Sequence, residues 1–151
     1  MKTRVGDLLR TGGIVIYTSP EATVGEAAAT MARHNVGAIL IMEFSGDLLG
    51  IFTERDLLKR VVVEGRLPDE TPISDVMSRD VVMVTQDTPV SDVLTLMNER
   101  HCRHIPVAAG SRLLGVVSLR DLLRYMNKER EFQIEQLQEY IFQKPLPTFS
   151  V

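Results

Sequence analysis

Residues 50–58 have the sequence Gly50-Ile51-Phe52-Thr53-Glu54-Arg55-Asp56-Leu57-Leu58, and residues 115–123 return to it as Gly115-Val116-Val117-Ser118-Leu119-Arg120-Asp121-Leu122-Leu123. Each copy has a glycine, two apolar residues, a hydroxyl residue, two variable residues, an aspartate and two leucines. Upstream, residues 24–41 align with residues 90–107. The offset is 65 for the motif and 66 upstream, because the intervening loop is one residue shorter in the second copy. The chain is therefore an internal duplication, and the repeat defines its domains.

Both copies predict elements in the order β-α-β-β-α from their hydrophobic periodicity and turn residues. In the first copy the elements cover residues 14–17, 24–34, 38–42, 48–52 and 55–63. In the second copy they cover residues 81–84, 90–100, 104–107, 113–117 and 119 onward. A single copy of about sixty residues buries too little surface to be stable alone. We therefore expect an α+β fold in which the two repeats pack about a pseudo-twofold axis.

The duplication divides the chain into four segments. Residues 1–63 are the first repeat with its lead-in, 64–70 a polar linker, 71–124 the second repeat, and 125–151 a C-terminal helix and tail. In the last segment apolar residues continue at spacings of three and four up to Ile141, and Pro145 ends any helix. Such a stripe needs a surface to cover it. Two interpretations are open: the helix folds back on its own domain, or it contacts a second copy, which we favour.

The composition is that of an ordinary globular protein, since the 151-residue chain is 44% hydrophobic and has a net charge of −3. The mild acidity argues against a nucleic-acid partner. Apolar runs have strand length, and no apolar block follows the charged N-terminus, so neither a membrane span nor a signal peptide is predicted. The cytoplasm is the expected compartment. The single cysteine, Cys102, excludes a disulfide within the chain and is interpreted as a packing residue.

Catalytic motifs are missing from the sequence. It contains no nucleophile-elbow serine, no phosphate-binding glycine-lysine loop and no zinc-protease helix motif. The histidines lack a paired spacing on one helix face, so no metal site is predicted. We therefore expect a protein that is not an enzyme.

The repeated motif, with the segment Arg103-His104-Ile105-Pro106-Val107, resembles a tandem cystathionine-β-synthase (CBS) domain pair, also called a Bateman module. The resemblance covers the chain from Val5 to Arg124 without a catalytic domain, as in stand-alone prokaryotic CBS-domain proteins. It implies a regulatory protein whose cleft between the repeats binds an adenosine-containing molecule. AMP, ADP or ATP is the expected ligand, with NAD or S-adenosylmethionine as alternatives.

The resemblance also implies which residues bind the ligand. Asp56 and Asp121 would accept hydrogen bonds from ribose hydroxyls, and Arg103 would approach the phosphates. Because the first copy has Gly37 at the position of Arg103, the cleft that uses Arg103 is expected to be the better site. The better site would comprise Thr11, Val15, Ile16, Ala38, Arg103, His104, Pro106, Ser118, Arg120 and Asp121. The second site would comprise Thr53, Arg55, Asp56, Met77, Ser78 and Val82.

Elementary chemistry is consistent with these roles. A carboxylate can accept hydrogen bonds from both hydroxyls of a ribose diol. N–H groups at the start of a helix attract anions, and arginine binds phosphate through paired hydrogen-bond donors. The alternative is that Thr53 and Ser118 only cap helices, with Asp56 and Asp121 as the third residues of capping boxes. The presence of the pattern in both copies favours the ligand role, and a cap does not exclude a ligand contact.

Two functional hypotheses follow. In the first, nucleotide binding changes the relative angle of the repeats and so regulates an unidentified protein partner. In the second, the chain is a ligand-independent interaction module that regulates a partner enzyme through its paired sheets and long helix. A homodimer formed through the repeats and the C-terminal helix is expected in both.

Overall fold

The computed structural model describes residues 3–9 and 15–143, which contain two three-stranded sheets. The first sheet contains β1 (Tyr17–Thr18), β2 (Ala38–Met42) and β3 (Leu48–Thr53). The second contains β4 (Val84–Thr85), β5 (His104–Ala109) and β6 (Arg112–Ser118). In each sheet the short first strand is parallel to the middle strand, which is antiparallel to the third. The duplicated α+β fold is confirmed.

The helices follow the same duplication. The described residues contain α1 (Val24–His34), α2 (Glu54–Asp56), α3 (Val90–Arg100) and α4 (Leu119–Gln143). Thr23 and Glu26 form a capping box that starts α1, and its buried side chains recur at helical spacing. The bounds of α1 and α3 are those predicted from the sequence.

Three elements differ from the sequence prediction by more than one or two terminal residues. The helix expected over residues 55–63 is α-helical only through Asp56 and continues as a π-helical turn, Leu57–Val62. The strands expected at residues 14–17 and 81–84 begin later, as β1 and β4, because only two residues of each pair with the middle strand. Val81 and Val82 instead pack into apolar clusters. Residue 14 lies outside the described residues.

The lead-in segments are exchanged between the repeats. Val5, in a 3₁₀ turn before the first repeat, is fully buried in the core of the second repeat. Ile73, in the equivalent turn before the second repeat, is fully buried in the core of the first. Equivalent backbone bonds hold both turns: Val5 N donates to Thr88 O at 2.8 Å, and Ile73 N to Ala22 O at 2.7 Å. Each repeat therefore completes the core of the other.

A third apolar cluster joins the two sheets. Ala38, Leu40 and Ile51 of the first sheet are buried against side chains that include Leu113 and Val116 of the second. Removing these faces from water supplies the apolar burial that one repeat alone lacks. The cluster thereby fixes the cleft between the repeats, because Ile51 belongs both to the cluster and to the cleft wall.

Helix α4 begins on the second repeat and then leaves it. Leu122 is fully buried in the second core, and the hydroxyls of Tyr125 and Thr3 are hydrogen-bonded at 2.6 Å. In contrast, every side chain from residue 127 to residue 140 is exposed. The interpretation in which this helix folds back on its own domain is therefore wrong. Among the described helices, α4 included, none combines the length and the apolar character needed to cross a membrane.

Candidate functional site

Both motif copies form capping boxes where a strand ends and a helix begins. Thr53 N and Oγ1 donate to Asp56 Oδ2 at 3.0 and 3.1 Å, and Asp56 N donates to Thr53 Oγ1 at 3.3 Å. Ser118 N donates to Asp121 Oδ2 at 2.9 Å, and Asp121 N to Ser118 Oγ at 3.1 Å. The capping geometry is thus present in both copies. It engages one carboxylate oxygen of each aspartate and leaves Oδ1 for another interaction.

The remaining oxygens of the two aspartates have different surroundings. Asp56 Oδ1 lies 3.7 Å from Arg60 Nε, and the Asp56 side chain is only 14% exposed. Asp121 is exposed. A partly buried carboxylate with a fixed orientation is better preorganised to accept ligand hydroxyls than a solvated one. The Asp56 copy therefore offers the better-defined acceptor.

A cavity of about 320 Å³ lies between the repeats beside Asp56. Its wall includes the junction of β3 and α2, the segment before β4, and the segment that joins α3 to β5, so both repeats contribute. The lining residues are Gly37, Ile51, Thr53, Glu54, Arg55, Asp56, Ser78, Asp80, Val81, Val82, Arg100, His101, Cys102, Arg103 and His104. Its volume lies within the range of small-molecule sites.

The lining of this cavity separates into chemically distinct groups. The apolar side chains are Ile51, Val81 and Val82. The cationic side chains are Arg55, Arg100 and Arg103, and the acidic ones are Glu54, Asp56 and Asp80. Guanidinium groups can hold phosphate oxygens, carboxylates can accept hydrogen bonds from hydroxyls, and aliphatic side chains can cover an aromatic base. The arrangement therefore fits a molecule with a planar apolar part, a diol and a phosphate.

The structure gathers most of the predicted second site at this cavity. Thr53, Arg55, Asp56, Ser78 and Val82 all line it. Met77 does not: its side chain is 4% exposed and packs in the core of the first repeat. The Met77 sulfur instead lies beside Gly50 of β3, and the assignment of Met77 to the second site stays a prediction.

The grouping of Arg103 and His104 also differs from the prediction. At the level of the backbone, His104 is the strand partner of Ser118, as expected for residues assigned to one site. However, Arg103 and His104 line the cavity of Thr53 and Asp56. Arg103 and His104 therefore line the Asp56 cavity, and their assignment to the Asp121 cleft stays a prediction.

The other residues of the predicted better site are not brought to this cavity. Ala38 and Val15 pack in the cluster between the sheets, and Ile16 packs against the first core. Pro106 is buried within β5, and Arg120 is exposed on α4. Thr11 lies outside the described residues. The assignment of these residues to a second cleft around Ser118 and Asp121 stays a prediction.

His104 occupies a central position between the two copies. A Cβ atom on Gly37 would lie only 3.1 Å from His104 Nε2 and 3.4 Å from Glu54 Cδ, so the glycine leaves room for both side chains. Burial lowers the pKa of His104 below its ordinary value, while Glu54 and Asp121 act in the opposite direction and Arg103 adds to the lowering. The pKa of His104 therefore depends on charged groups of both repeats.

Cys102 also lines the cavity, and the free thiol is half-buried. Burial is the main cause that raises the pKa of this thiol, so the neutral form is favoured. Within the described part of the chain, His, Cys, Asp and Glu side chains form no group of three suited to a metal ion.

Sequence reasoning missed several lining residues, notably Arg100, His101 and Asp80. Arg100 ends α3, and His101 follows in the left-handed conformation with φ of 53°, which turns the chain toward β5. The signal was present, since Arg100 and His101 stand next to Cys102 just before the recognised segment at Arg103. Only the fold shows that this turn faces the other repeat.

Comparison with known proteins gives a consistent result. The CBS domain profile matches twice, at residues 5–63 and 73–128. This chain belongs to the CBS-domain family. A relative in Arabidopsis thaliana, the mitochondrial CBS domain-containing protein CBSX3, is 31% identical over 148 residues, which cover 92% of this chain and 72% of CBSX3.

Solved structures of other CBS pairs have the same fold as this CBS protein. The CBS-domain protein ATU1752 of Agrobacterium tumefaciens is 35% identical with a TM-score of 0.77, and the match covers 82% of this chain and 99% of that one. The CBS pair of protein MJ0100, solved with 5′-methylthioadenosine and S-adenosyl-L-methionine, is 26% identical with a TM-score of 0.76 and coverage of 85% and 99%. CBS pairs are generally regulatory modules, and no catalytic family is found for this chain.

Proposed function

We propose that this CBS pair is a cytoplasmic sensor that binds an adenine nucleotide, AMP, ADP or ATP, in the cleft between its repeats and regulates a protein partner. The observation that carries the proposal is the cavity that is lined both by Asp56 of one repeat and by Arg103 of the other. A single nucleotide can span these groups, with its ribose at Asp56 and its phosphates at the arginines. MJ0100 binds two adenosine compounds, which supports an adenosine ligand for the related pair.

The arginines of the cavity favour phosphate. Arg55 belongs to the first repeat, whereas Arg100 and Arg103 belong to the second. A guanidinium forms paired hydrogen bonds with phosphate oxygens and is stronger in that role than a neutral donor. A ligand without phosphate, such as methylthioadenosine, would leave these groups unused. We therefore place the phosphate-bearing ligands AMP, ADP, ATP and NAD before S-adenosylmethionine.

The position of the cavity provides a mechanism of regulation. Because both repeats contribute to the wall, a bound ligand contacts both and stabilises the relative orientation that fits it best. Ligand binding shifts a conformational equilibrium only by its difference in affinity for the two states. The partner would recognise the orientation that the nucleotide stabilises.

Thermal unfolding of the purified chain with AMP, ADP, ATP, NAD and S-adenosylmethionine tests this proposal. A ligand at a hundred times its Kd stabilises the fold by about 2.7 kcal/mol. For a chain of this length each kcal/mol raises Tm by about 2–4 °C. Asp56→Asn should abolish the shift, while Asp121→Asn, which alters the equivalent capping box, should retain it. Unchanged Tm of the folded protein at millimolar concentrations of all five compounds would refute nucleotide sensing.

The exposed half of α4 favours a second candidate, an interaction module that needs no ligand. A helix with exposed Ile134 and Leu137 offers apolar surface for another protein or a second copy. Partner regulation that is unchanged in Asp56→Asn but lost when α4 is altered would support this candidate. Loss of regulation in Asp56→Asn would support the sensor.

A further inference from the structure

Gly37 and Arg103 occupy equivalent positions in the two repeats, directly before the middle strand of each sheet. The carbonyl oxygen of Gly37 accepts a hydrogen bond from Glu54 N at 3.1 Å, at the start of α2. The carbonyl oxygen of Arg103 accepts the equivalent bond from Leu119 N at 2.8 Å, at the start of α4. The backbone at this position therefore has the same role in both repeats, whichever side chain it carries.

This backbone does not require a glycine at position 37. The left-handed residue that ends α1 is Asn35, with φ of 52°, and Gly37 is not among the glycines of the described chain that have a positive φ. The equivalent residue of the second repeat, Arg103, carries a long side chain on a backbone with the same hydrogen bond. The space around Gly37, rather than its conformational freedom, therefore explains the glycine.

The space beside Gly37 is filled chiefly by a side chain of the other repeat. A Cβ atom on Gly37 would lie 3.1 Å from Nε2 and 3.3 Å from Cε1 of His104. Both distances are shorter than the optimal separation of about 3.5–4.0 Å between nonbonded atoms. Glu54 Cδ, at 3.4 Å, would be close to an ordinary contact. An alanine would therefore displace mainly the His104 imidazole.

The imidazole that Gly37 admits lies among the charged groups of the cleft. His104 lines the cavity together with Glu54 and Arg103. Burial lowers the pKa of His104, whereas the Glu54 carboxylate opposes this lowering and favours the protonated imidazole. The negative charge of a ligand phosphate would favour the same form. The position of the His104 ring therefore affects how strongly the cleft can bind an anion.

We propose that Gly37 is a positioning residue of the cleft, because its missing side chain allows the imidazole of His104 to lie where it can bind the phosphate of the ligand. Gly37 contributes no side-chain group to the ligand and acts through His104. The proposal rests on the proposed function and adds a residue that the repeated motif does not identify.

Isothermal titration calorimetry of Gly37→Ala with AMP, ADP and ATP tests this role. Displacement of the imidazole should weaken binding about tenfold, the size expected when a hydrogen bond to a charged group is partly lost. Gly115→Ala is the matched control, because a Cβ atom there would meet only Leu9, at 3.5 Å or more. Gly115→Ala should therefore leave the affinity unchanged.

A double-mutant cycle with His104→Ala separates positioning from other effects of the added methyl group. His104→Ala removes the imidazole atoms that the new Cβ atom would displace. Because Gly37 acts through His104, Gly37→Ala should cause no further loss of affinity in the His104→Ala background. An equal loss in both backgrounds would show that the methyl group obstructs the ligand or disturbs the fold, and would overturn the proposal.

The ligand-free protein provides a second readout. In proton NMR, the Hε1 signal of His104, assigned by its absence from His104→Ala, should shift in Gly37→Ala and keep its position in Gly115→Ala. An unshifted signal in Gly37→Ala would overturn the proposal. Absence of binding of all three nucleotides to the natural protein would refute the proposed function and this role with it. Full affinity of Gly37→Ala for a nucleotide that the natural protein binds would refute the positioning role alone.

Discussion

Arg60 Nε lies 3.7 Å from Asp56 Oδ1, one helical turn away, and this arginine also reaches the other repeat's lead-in. Its Nη1 atom donates to the carbonyl oxygens of Val76 and Met77, both at 3.1 Å. One side chain therefore connects the proposed ribose acceptor to the segment that carries Ser78 into the cavity. We infer that Arg60 is a positioning residue, because it pairs with the second oxygen of Asp56 and also binds the backbone that leads to Ser78.

We predict that Arg60→Met weakens nucleotide binding about tenfold, equivalent to about 1.4 kcal/mol, because Asp56 loses its fixed orientation. The loss of fold stability should be about 1–2 kcal/mol, since the ion pair is half exposed and contributes little beside the two carbonyl contacts. Isothermal titration calorimetry and urea unfolding measure the two quantities.

Tyr125 provides the control for this variant, because it occupies the position in the second repeat that Arg60 occupies in the first. Its hydroxyl is bonded to Thr3 Oγ1 at 2.6 Å, so it also ties a helix to a lead-in segment. Tyr125→Phe should lower stability slightly and leave nucleotide affinity unchanged. Equal affinity of Arg60→Met and the natural protein would show that Asp56 needs no support from Arg60.

The two equivalent glycines of the repeats should differ in their tolerance of alanine. A Cβ atom on Gly50 would lie 2.7 Å from Ser78 O and 2.8 Å from Met77 Sδ. Ser78 O already accepts a hydrogen bond from Ile51 N at 2.9 Å, so the carbonyl cannot retreat without breaking that bond. Gly50→Ala should therefore destabilise the fold by about 1–3 kcal/mol through overpacking.

Gly115→Ala is the matched comparison. Its nearest neighbour would be Leu9 Cδ2 at 3.5 Å, an ordinary van der Waals distance. We expect a change within about 0.5 kcal/mol, with some stabilisation from the reduced freedom of the unfolded chain. Urea unfolding of both variants measures their stabilities. Equal unfolding midpoints for Gly50→Ala and Gly115→Ala would contradict the close approach of Ser78 to β3.

Because the lead-in segments are exchanged, we predict that a substitution before the second repeat destabilises the first repeat. Ile73 is fully buried in the core of the first repeat although it precedes the second repeat in the chain. Ile73→Ala should destabilise by about 2–5 kcal/mol, the range for truncating a buried aliphatic side chain. Hydrogen exchange should show increased opening of β2 and β3 in the first repeat. Increased opening confined to β5 and β6 would contradict the packing of the second lead-in segment in the first repeat.

The repeat explains why so much of this fold was accessible from sequence. Apolar spacing marked α1 and α3 correctly because both are amphipathic helices with local signals, such as the capping box at Thr23. The continuation of α2 as a π-helical turn was not predicted, because the 3.6-residue periodicity of Leu57 to Val62 does not distinguish the wider turn. The short strands β1 and β4 were misplaced because their length is set by pairing with another segment.

The candidate site was predictable in its residue types and less so in its grouping. Motif matching identified Thr53 and Asp56 correctly as a unit, since their contact is local and formed by a capping box. The assignment of Arg103 to the other cleft came from the resemblance to the family, and the strand register pairs its neighbour His104 with Ser118. Which cavity a side chain between the repeats lines depends on the packing of the two repeats, and no local pattern encodes it.

His104 should make stability and ligand binding depend on pH in opposite directions. Burial lowers the pKa of His104, so the unfolded chain binds a proton at higher pH than the folded chain. The unfolded state then holds more protons as pH falls through the ordinary value of 6.5, and stability decreases there. His104→Gln should remove part of this decrease in urea unfolding between about pH 7 and pH 5. His34→Gln, the same substitution at an exposed position of α1, serves as the control.

Ligand binding should have the opposite pH dependence, because the negative charge of a bound phosphate favours the protonated imidazole of His104. Nucleotide affinity should therefore rise as pH falls from 8 to 6, and binding should take up a proton. The nucleotide phosphate itself titrates near pH 6, so the informative quantity is the difference between the natural protein and His104→Gln. Calorimetry in buffers of different ionisation enthalpy measures the proton uptake. Equal uptake in both proteins would show that His104 does not face the phosphates.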